Sequence, residues 1–400
     1  MSKKVYLVGT GPGDISLLTG RAVELIKKCG RVVATGRLAN QMKPLRGDVE
    51  TCELSRLEEK LLESTEEEIT VLVSGDTGFF SAAKTLGSRL RGRLEIEAVN
   101  GLSSLQYLCA KTGSDYEQLE IVSLHGRERC FLGQVSYNPA VFFLTGGRNK
   151  AQDICASLSK NGLGFVSVTA GEKLSLPDER IVTGTAEELS KLEFDDLTVL
   201  LVKNKAFADC HAPLKDGDFI RGGVPMTKEE VRWLSTEKMG IRPDDIIYDI
   251  GAGTGSVSIE MARRAHAGMV WAIERADEAV GLIAENRKKL GAYNLKIIKG
   301  QAPDCLSGLP APDKVFIGGS GGRLREILEW LLVINPNVRV TANAVSLETL
   351  DEAVKTMTEM GMEPEIVSIS IAKAKKAGNH HMMLGQNPVF IITGGRNPIV

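Results

Sequence analysis

A glycine-rich segment carries the clearest chemical signal in the sequence. Residues 249–255 read Asp-Ile-Gly-Ala-Gly-Thr-Gly and follow an apolar run at 246–250. Glycines let the backbone turn sharply and let a ligand approach main-chain N–H groups at the start of the next helix. Glu274 ends the following apolar run, where a carboxylate can accept both hydroxyls of a ribose. The segment therefore predicts a site for a small molecule that contains a nucleoside.

Two kinds of nucleoside ligand compete for this segment. A dinucleotide site needs the spacing Gly-x-Gly-x-x-Gly, whereas this loop reads Gly-x-Gly-x-Gly and has Asp249 two residues before its first glycine. An acidic side chain repels a diphosphate but can neutralise a cation. The loop resembles motif I of the class I S-adenosylmethionine (AdoMet) methyltransferases, whose ligand carries a sulfonium. A nicotinamide-dependent reductase is the alternative, and glycines that only turn a strand into a helix are a third reading.

A second glycine-rich segment follows the first apolar run of the chain. Residues 9–14 read Gly-Thr-Gly-Pro-Gly-Asp, and Pro12 lacks an N–H, so this is not a phosphate-binding P-loop. Ser-Gly-Asp at 74–76, Asn-Gly-Leu-Ser-Ser at 100–104 and the segment 171–178 follow in order. Together they resemble the tetrapyrrole methylase family (class III methyltransferases). Thr77 departs from that family, which more often has Asp-Pro at this point. The resemblance implies two α/β lobes with the cofactor in the cleft between them.

The second half of the chain carries three further motifs. They are Val-Pro-Met-Thr at 224–227, Gly-Gln-Ala-Pro at 300–303 and a glycine loop at 318–322. These motifs resemble the decarboxylating precorrin methyltransferases. The order of the two halves resembles the fused C(5,15)-methyltransferase (decarboxylating) family of cobalamin biosynthesis, over about residues 3–205 and 222–396.

The resemblance implies a complete reaction. The N-terminal half would methylate meso carbon 5 and the C-terminal half meso carbon 15 of precorrin-6B or cobalt-precorrin-6B. The C-terminal half would also decarboxylate the acetate at carbon 12. The cofactor is AdoMet, one per domain, and the partner is a polycarboxylate corrin precursor. Because the conjugated ring can act as its own electron sink, neither pyridoxal phosphate nor a metal needs to be invoked. A scaffold with one decayed site is the alternative within this family.

The resemblance also implies the site residues. The cofactor-binding residues of the first half are Gly11, Pro12, Gly13, Gly75, Asp76, Ser103, Ser104, Ala170, Gly171 and Glu172. Those of the second half are Thr227, Asp249, Gly251, Ala252, Gly253, Thr254, Gly255, Glu274, Gln301 and Ala302. Substrate carboxylates are expected at Gly319, Ser320, Gly321 and Arg323. Asp14 and Asp76 are candidates for proton removal, with turn capping as the alternative for each. A basic cluster later in the chain either supplies further hydrogen-bond donors to the substrate carboxylates or is a solvated loop. Its residues are Lys373, Lys375, Lys376, His380 and His381.

Apolar runs alternate with helical patterns along the chain, which predicts α/β architecture. We expect a two-lobed tetrapyrrole methylase fold at 1–206, split near 111–117, then a linker at 207–224. A Rossmann-like class I methyltransferase fold is expected at 225–400. Runs at 365–371 and 389–393 have no helical pattern between them, so we expect the last two strands to pair antiparallel. A helix from Arg323 carries five apolar residues on one face, which predicts core packing.

Composition narrows the classes of partner. The 400 residues carry a net charge of −2, which does not favour nucleic-acid binding or a polybasic membrane anchor. The apolar run at 5–8 is too short for a signal peptide, and no run reaches the length of a membrane helix. Seven scattered cysteines contain no Cys-x-x-Cys pair and suggest neither disulfides nor a zinc site. We therefore expect a cytoplasmic protein, and a homo-oligomer by resemblance.

Overall fold

The computed structural model describes residues 3–125 and 129–396. Two compact units are present, and each is described by itself. The first takes in most of the chain up to residue 203, and the second takes in residues from 204 onward together with 129–139 and 161–163. The domain bounds given above stay predictions, and their ends at residues 1–2 and 397–400 lie outside the described part.

A parallel five-stranded sheet opens the first unit. Its strands are β1 (Lys4–Gly9), β2 (Arg31–Ala34), β3 (Glu50–Thr51), β4 (Glu68–Val73) and β5 (Glu95–Val99). Their spatial order is β3-β2-β4-β1-β5. The helices are α1 (Gly20–Lys28), α2 (Gly36–Met42), α3 (Leu54–Glu63), α4 (Ala82–Leu90) and α5 (Ser104–Thr112). Strands β1 and β4 are buried along almost their whole length, as expected of parallel strands covered on both faces.

A mixed five-stranded sheet follows. Its strands are β6 (Glu120–Ser123), β7 (Ala140–Leu144), β8 (Ser167–Glu172), β9 (Arg180–Thr185) and β10 (Thr198–Lys203), in the order β6-β7-β10-β8-β9. The helices of this stretch of the chain are α6 (Leu132–Tyr137), which belongs to the second unit, and α7 (Ala151–Leu158) and α8 (Ala186–Leu189) of the first. Strands β6 and β7 are parallel, and the other three pairings are antiparallel. Along the chain, the segment 111–117 falls after the last strand of the first sheet and before the first strand of the second. Helix α5 ends within this segment, at Gly113, whose backbone is left-handed.

The second unit is built on a seven-stranded sheet. The strands of this unit are β11 (Ile246–Ile250), β12 (Met269–Glu274), β13 (Leu295–Lys299), β14 (Lys314–Ile317), β15 (Arg339–Ala344), β16 (Glu365–Ile369), β17 (Ala372–Ala377), β18 (His380–Gly385) and β19 (Val389–Gly394). Its helices are α9 (Glu229–Lys238), α10 (Ser256–Arg264), α11 (Asp277–Lys289), α12 (Leu324–Ile334) and α13 (Leu347–Glu359). The sheet order is β13-β12-β11-β14-β15-β19-β16. The α/β class expected from the alternation is confirmed.

Antiparallel pairing at the end of the chain is confirmed, with an addition. Strand β19 lies between β15 and β16 and is antiparallel to both. No further strand was expected between these last two strands. Instead, β17 and β18 form a separate two-stranded hairpin there. Hydrophobic periodicity does not reveal this hairpin, because the side chains of both strands are mostly exposed.

Core packing in the second unit follows the predicted stripe on α12. Leu324, Ile327, Leu328, Leu331 and Leu332 of that helix are all buried. Helix α10 is buried on every side, and its charged residues are paired there. Arg263 donates to Glu260, which also lies close to the fully buried Arg232 of α9. Because buried charges are costly unless paired, this network ties α9 to α10.

Three details of the first unit differ from the expected elements. The spacing of Leu17, Leu18, Ala22, Leu25 and Ile26 predicts a first helix that includes Leu17 and Leu18. Instead, α1 begins only after Thr19, whose side chain accepts from the N–H of Ala22. Strands β3 and β9 were not predicted, because β3 has two residues and β9 is largely exposed.

Within the described residues, no helix combines the length and the apolar composition needed to cross a bilayer.

Candidate functional site

The glycine loop of the second unit lies between β11 and α10. Gly251, Gly253 and Gly255 have φ values of 74°, 56° and 76°, in the left-handed region that favours glycine. The loop lies at the carboxyl end of β11, next to the loop that follows its neighbour β14. A Cβ added at Gly251 would come 2.6 Å from the carbonyl oxygen of Gly319. The two loops therefore pack backbone against backbone.

Main-chain N–H groups of this loop are already used within the protein. Gly251 and Ala252 donate to the carbonyl oxygen of Ile273, at 3.0 and 3.2 Å. Gly253 donates to Oε2 of Glu274 at 2.9 Å. A diphosphate needs free N–H donors at such a loop. The N–H groups of Gly251, Ala252 and Gly253 are therefore not free for a diphosphate, which disfavours the dinucleotide alternative at this part of the loop. The expectation that a ligand meets N–H groups at the start of the next helix, α10, stays a prediction.

Asp249 lies one residue before the end of β11 and is 1% exposed. Its Oδ2 accepts from the hydroxyl of Ser258. Within the described residues its Oδ1 has no hydrogen-bond partner, although it is buried. Burial, with a smaller effect from Glu274, raises the pKa of Asp249 to about 7. A buried oxygen without a partner next to a ligand loop suits a cationic ligand.

Glu274 ends β12 and is held by the backbone. Its Oε1 accepts from the N–H groups of Arg275 and Ala276, at 2.8 and 3.0 Å. Its Oε2 accepts from Gly253, as described above. Each carboxylate oxygen has further lone pairs, so a fixed Glu274 can still accept ribose hydroxyls.

These residues surround a cavity of about 1230 Å³ in the second unit. The cavity brings together most of the predicted residues. Those that line it are Thr227, Asp249, Gly251, Ala252, Gly253, Thr254, Glu274, Gln301, Ala302, Gly319, Ser320 and Gly321. Gly255 is not among the lining residues, since a Cβ there would meet Ile283 of α11 at 3.1 Å. Gly255 thus allows two helices to approach each other and does not face the cavity.

The residues present fit AdoMet. Asp249 offers a buried carboxylate oxygen without a partner, and Oγ1 of Thr254 is likewise buried with no partner in the described part of the chain. Left-handed glycines keep side chains out of the space above β11. Glu274 supplies carboxylate oxygens at the same cavity. This donor set combines a group for a cation with groups for a nucleoside.

Arg323 does not line the cavity, which corrects its predicted role in substrate binding. Its guanidinium makes two hydrogen bonds to Asp304, at 2.6 and 3.0 Å, and two to Glu326. These bonds raise the pKa of Arg323, with Asp304 as the largest cause. The side chain is therefore engaged by two carboxylates of the protein itself.

Substitution of Arg323 should have little effect on substrate use. We expect Arg323→Gln to leave the KM for an anionic substrate within about twofold of wild type, because Asp304 and Glu326 hold the guanidinium and the residue does not line the cavity. Steady-state kinetics on the purified chain check this expectation. A rise in KM of tenfold or more would restore Arg323 as a substrate ligand.

Several cavity residues were missed by the sequence analysis. They include Lys228, Arg275, Asn343, Gln386 and Asn387. Arg275 directly follows Glu274, and Lys228 directly follows Thr227, so proximity to predicted residues was the available signal. Asn343 and the segment 386–387 have no motif, and only the sheet order brings them to the cavity. Lys373 and Lys375 of the basic cluster line the cavity, whereas Lys376, His380 and His381 do not.

In the first unit, the predicted loops meet at one edge of the first sheet. Strands β4, β1 and β5 are neighbours, and the segments that follow them carry Gly11, Gly75 and Ser103. Gly11 and Gly75 exchange two backbone hydrogen bonds, at 3.1 and 2.9 Å. Ligands of open α/β sheets bind outside the carboxyl ends of the strands. The tetrapyrrole methylase motifs are therefore brought together where a ligand is expected.

The two candidate bases of the first unit are engaged in turns. Asp14 accepts from the N–H of Ser16 at 2.8 Å, and this bond lowers its pKa. Asp76 accepts from the N–H groups of Gly78 and Gly101, at 2.8 and 3.1 Å, which ties the loops after β4 and β5 together. A lowered pKa makes Asp14 a weaker base. The contacts of Asp14 with Ser16 and of Asp76 with Gly78 match the turn-capping alternative, and the catalytic role stays a prediction.

The other predicted residues of the first unit have structural partners. Ser103 caps α5 in a capping box with Gln106, and Ser104 is the first residue of that helix. Ala170, Gly171 and Glu172 lie at the end of β8. The Glu172 carboxylate accepts from Arg180 and from the N–H of Asp195.

The loop at 9–14 also contacts the turn that follows β8. The N–H of Asp14 donates to Oγ of Ser175 at 3.0 Å. A Cβ added at Gly13, where φ is 152°, would come 2.6 Å from the side chain of Leu176. Contacts between these two segments place the predicted residues Gly13 and Asp14 next to the turn after β8.

Within the described ranges, no group of three or more His, Cys, Asp or Glu is arranged to hold a metal.

Comparison with known proteins adds two family matches. Residues 4–190 match the family of tetrapyrrole (corrin/porphyrin) methylases, and residues 218–394 match the precorrin methyltransferase domain. A similar protein of Pyrobaculum calidifontis, described as a probable cobalt-precorrin-6B C(15)-methyltransferase (decarboxylating), is 37% identical over 173 residues. That match covers 43% of this chain and 89% of the relative.

Two further matches have the same sequence identity to this chain. A protein of Saccharolobus solfataricus with the same description is 37% identical over 177 residues, covering 43% of this chain and 88% of the relative. A crystal structure of precorrin-6Y C5,15-methyltransferase from Geobacter metallireducens is 37% identical. It covers 46% of this chain and 96% of that chain, with a TM-score of 0.44.

Proposed function

We propose a bifunctional enzyme of corrin-ring biosynthesis, on the premise that this chain belongs to the precorrin methyltransferase family and carries a tetrapyrrole methylase domain before that part. It methylates meso carbons 5 and 15 of precorrin-6B or cobalt-precorrin-6B and decarboxylates the acetate at carbon 12. The activity is that of a precorrin-6Y C(5,15)-methyltransferase (decarboxylating). Both families use AdoMet, and we propose one AdoMet in each domain.

The observation that carries this proposal is the state of Asp249. A buried carboxylate oxygen without a partner among the described residues lies at the glycine loop, where the N–H groups of Gly251, Ala252 and Gly253 are already used. That combination suits a cation and not a diphosphate. When bound, AdoMet supplies a methyl group on a sulfonium, which a carbon nucleophile can accept with release of a neutral thioether.

The chain's own residues bind and orient the reactants. Asp249 holds the positively charged portion of the cofactor, and the left-handed glycines keep side chains away from it. Glu274 accepts the ribose hydroxyls, Gln301 and Ala302 bound the adenine, and Thr227 lies across the opening. A meso carbon of the substrate is electron-rich, so the protein has to align it and exclude water and does not have to supply a strong base.

In the first unit we propose that the loops after β1, β4 and β5 hold a second AdoMet. The close approach of Gly11 and Gly75 forms the floor of this site, and Asp76 keeps the loop at 100–104 in place. Gly171 at the end of β8 packs against Leu108 and Leu174 and so gives the other wall its shape. This unit would methylate carbon 5.

Incubation with the macrocycle and AdoMet tests the proposed function. Mass spectrometry of the product made from metal-free and cobalt-loaded precursors should show the gain of two methyl groups and the loss of one carbon dioxide. Gain of one methyl group alone would indicate that one site is inactive. An unchanged mass with both precursors would reject the proposal.

We further propose that the enzyme works in the cytoplasm as a homo-oligomer. All seven cysteines are free, which suits a reducing compartment. The near-zero net charge does not favour binding to nucleic acid or to a membrane surface. Sedimentation of the purified chain measures the oligomeric state.

A further inference from the structure

The cavity of the second unit is larger than one small ligand needs. Its volume of about 1230 Å³ exceeds the roughly 300–1,000 Å³ that usually holds a drug-sized molecule. Its charged lining residues fall into two groups. The acidic ones are Asp249, which is buried, and the half-buried Glu274. The basic ones are Lys228, Arg275, Lys373 and Lys375, of which all but Lys373 are exposed.

This distribution separates the charges by depth. Carboxylates lie at the buried end, and cations lie where the cavity opens to solvent. Two ligands of opposite charge would match it: a cation at the inner end and an anion at the mouth. The amino-acid portion of AdoMet carries only one carboxylate, so AdoMet alone does not account for all of the outer lysines and the arginine.

One of the four cations is already paired. Nζ of Lys373 lies 2.8 Å from Glu229 and 2.7 Å from Glu230, both at the start of α9. Lys228, Arg275 and Lys375 have no ion pair and no side-chain hydrogen bond to any residue in the described part of the chain. These three side chains are therefore available to a ligand.

The paired cation positions the others. Lys373 and Lys375 lie two residues apart on β17 and so point to the same side of the hairpin. The ion pairs of Lys373 fix this strand to the first turn of α9, and Lys228 directly precedes that turn. Lys228 and Lys375 are thus held near each other by contacts that use neither of their ammonium groups. Arg275 approaches from the opposite loop, with its Nη1 near Gly321.

We propose that Lys228, Arg275 and Lys375 form a cation rim that binds peripheral carboxylates of the anionic macrocycle. The inference rests on the proposed function, and it assigns substrate recognition to residues other than Arg323. An ion pair stabilises a carboxylate and so opposes its loss as carbon dioxide. The rim therefore holds side chains that keep their carboxylates, and the acetate that is decarboxylated lies away from it.

Neutral substitutions test the rim with a matched control. Lys375→Gln removes a charge that lines the cavity, whereas Lys376→Gln removes the adjacent charge of the same strand, which does not line it. In the full chain we expect Lys375→Gln to raise the KM for the macrocycle in C15 methylation about tenfold, because charged hydrogen bonds are lost. The KM for AdoMet and the kinetics of C5 methylation should stay within twofold. Lys376→Gln should behave as wild type.

Arg275→Gln should act in the same way, and the double variant Arg275→Gln/Lys375→Gln should raise the KM about a hundredfold. The wild-type KM should also rise with salt concentration, and that dependence should weaken in the double variant. An unchanged KM in both single variants would overturn the rim while C15 methylation by wild type upholds the proposed function. An equal effect of Lys376→Gln would also overturn it, since only net charge would then matter. Absence of C15 methylation in wild type would reject the function and the rim together.

Discussion

Asp249→Asn is expected to weaken AdoMet binding at the second unit by at least about 30-fold at pH 8, because a buried charge pair that loses one partner costs roughly 2–5 kcal/mol. Asn keeps the size of the side chain and can still accept from Ser258. It cannot become negative. The KM for AdoMet in C15 methylation measures the loss, and C5 methylation by the same molecules is the internal control.

The pH dependence of binding gives a second measurement for Asp249. Its pKa of about 7 means that it is neutral below pH 7 and charged above it. A cationic ligand prefers the charged form, so wild-type affinity should rise about tenfold between pH 6 and pH 8. Asp249→Asn should lack this rise. A pH profile shared by both proteins would show that Asp249 does not meet the cation.

Asp249→Asn should make the folded second unit more stable, although it weakens AdoMet binding. A carboxyl whose pKa is raised on folding contributes most below its unfolded pKa of about 4, and this contribution is lost as pH rises through 7. At pH 8 the substitution should therefore raise the free energy of unfolding of the second unit by roughly 1–3 kcal/mol. Calorimetry of the free protein measures this change. A variant that lost affinity through misfolding would lose stability as well.

Motifs in the sequence predicted the inner end of this site. Asp249, the glycines and Glu274 are recognised by residue type and spacing, because the left-handed backbone of the loop demands glycine and each carboxylate stands at or near the end of an apolar run. Strands of the sheet were also predictable, since the apolar runs at 246–250 and 389–393 coincide with β11 and β19. In these places local sequence and fold agree.

The outer end of the site could not be predicted in the same way. Arg323 follows a glycine loop and looked free, but its carboxylate partner Asp304 is 19 positions earlier in the chain. Asn343 and the segment 386–387 carry no motif, and only the strand order of the sheet brings them to the cavity. The hairpin β17–β18 is exposed on both faces, so hydrophobic periodicity gives no signal for it.

Gly251→Ala is expected to abolish activity at the second unit while the first unit stays active. Its φ of 74° is strained for alanine, which costs about 1–3 kcal/mol. The added methyl group would also lie 2.6 Å from the carbonyl oxygen and 2.8 Å from the nitrogen of Gly319. Backbone atoms cannot rotate away as a side chain can. The two loops must therefore move apart, and C15 methylation and decarboxylation should fall at least about a hundredfold.

A glycine outside the site provides the matched control for this substitution. Gly281 lies in α11, where an added Cβ meets nothing within 4 Å, so Gly281→Ala should keep full activity. Product analysis should show C5 methylation without C15 methylation for Gly251→Ala, and both for Gly281→Ala. Equal loss of both methylations in Gly251→Ala would mean that the two sites do not act separately. Full activity in Gly251→Ala would mean that the contact between the loops after β11 and β14 is not needed to shape the cofactor site.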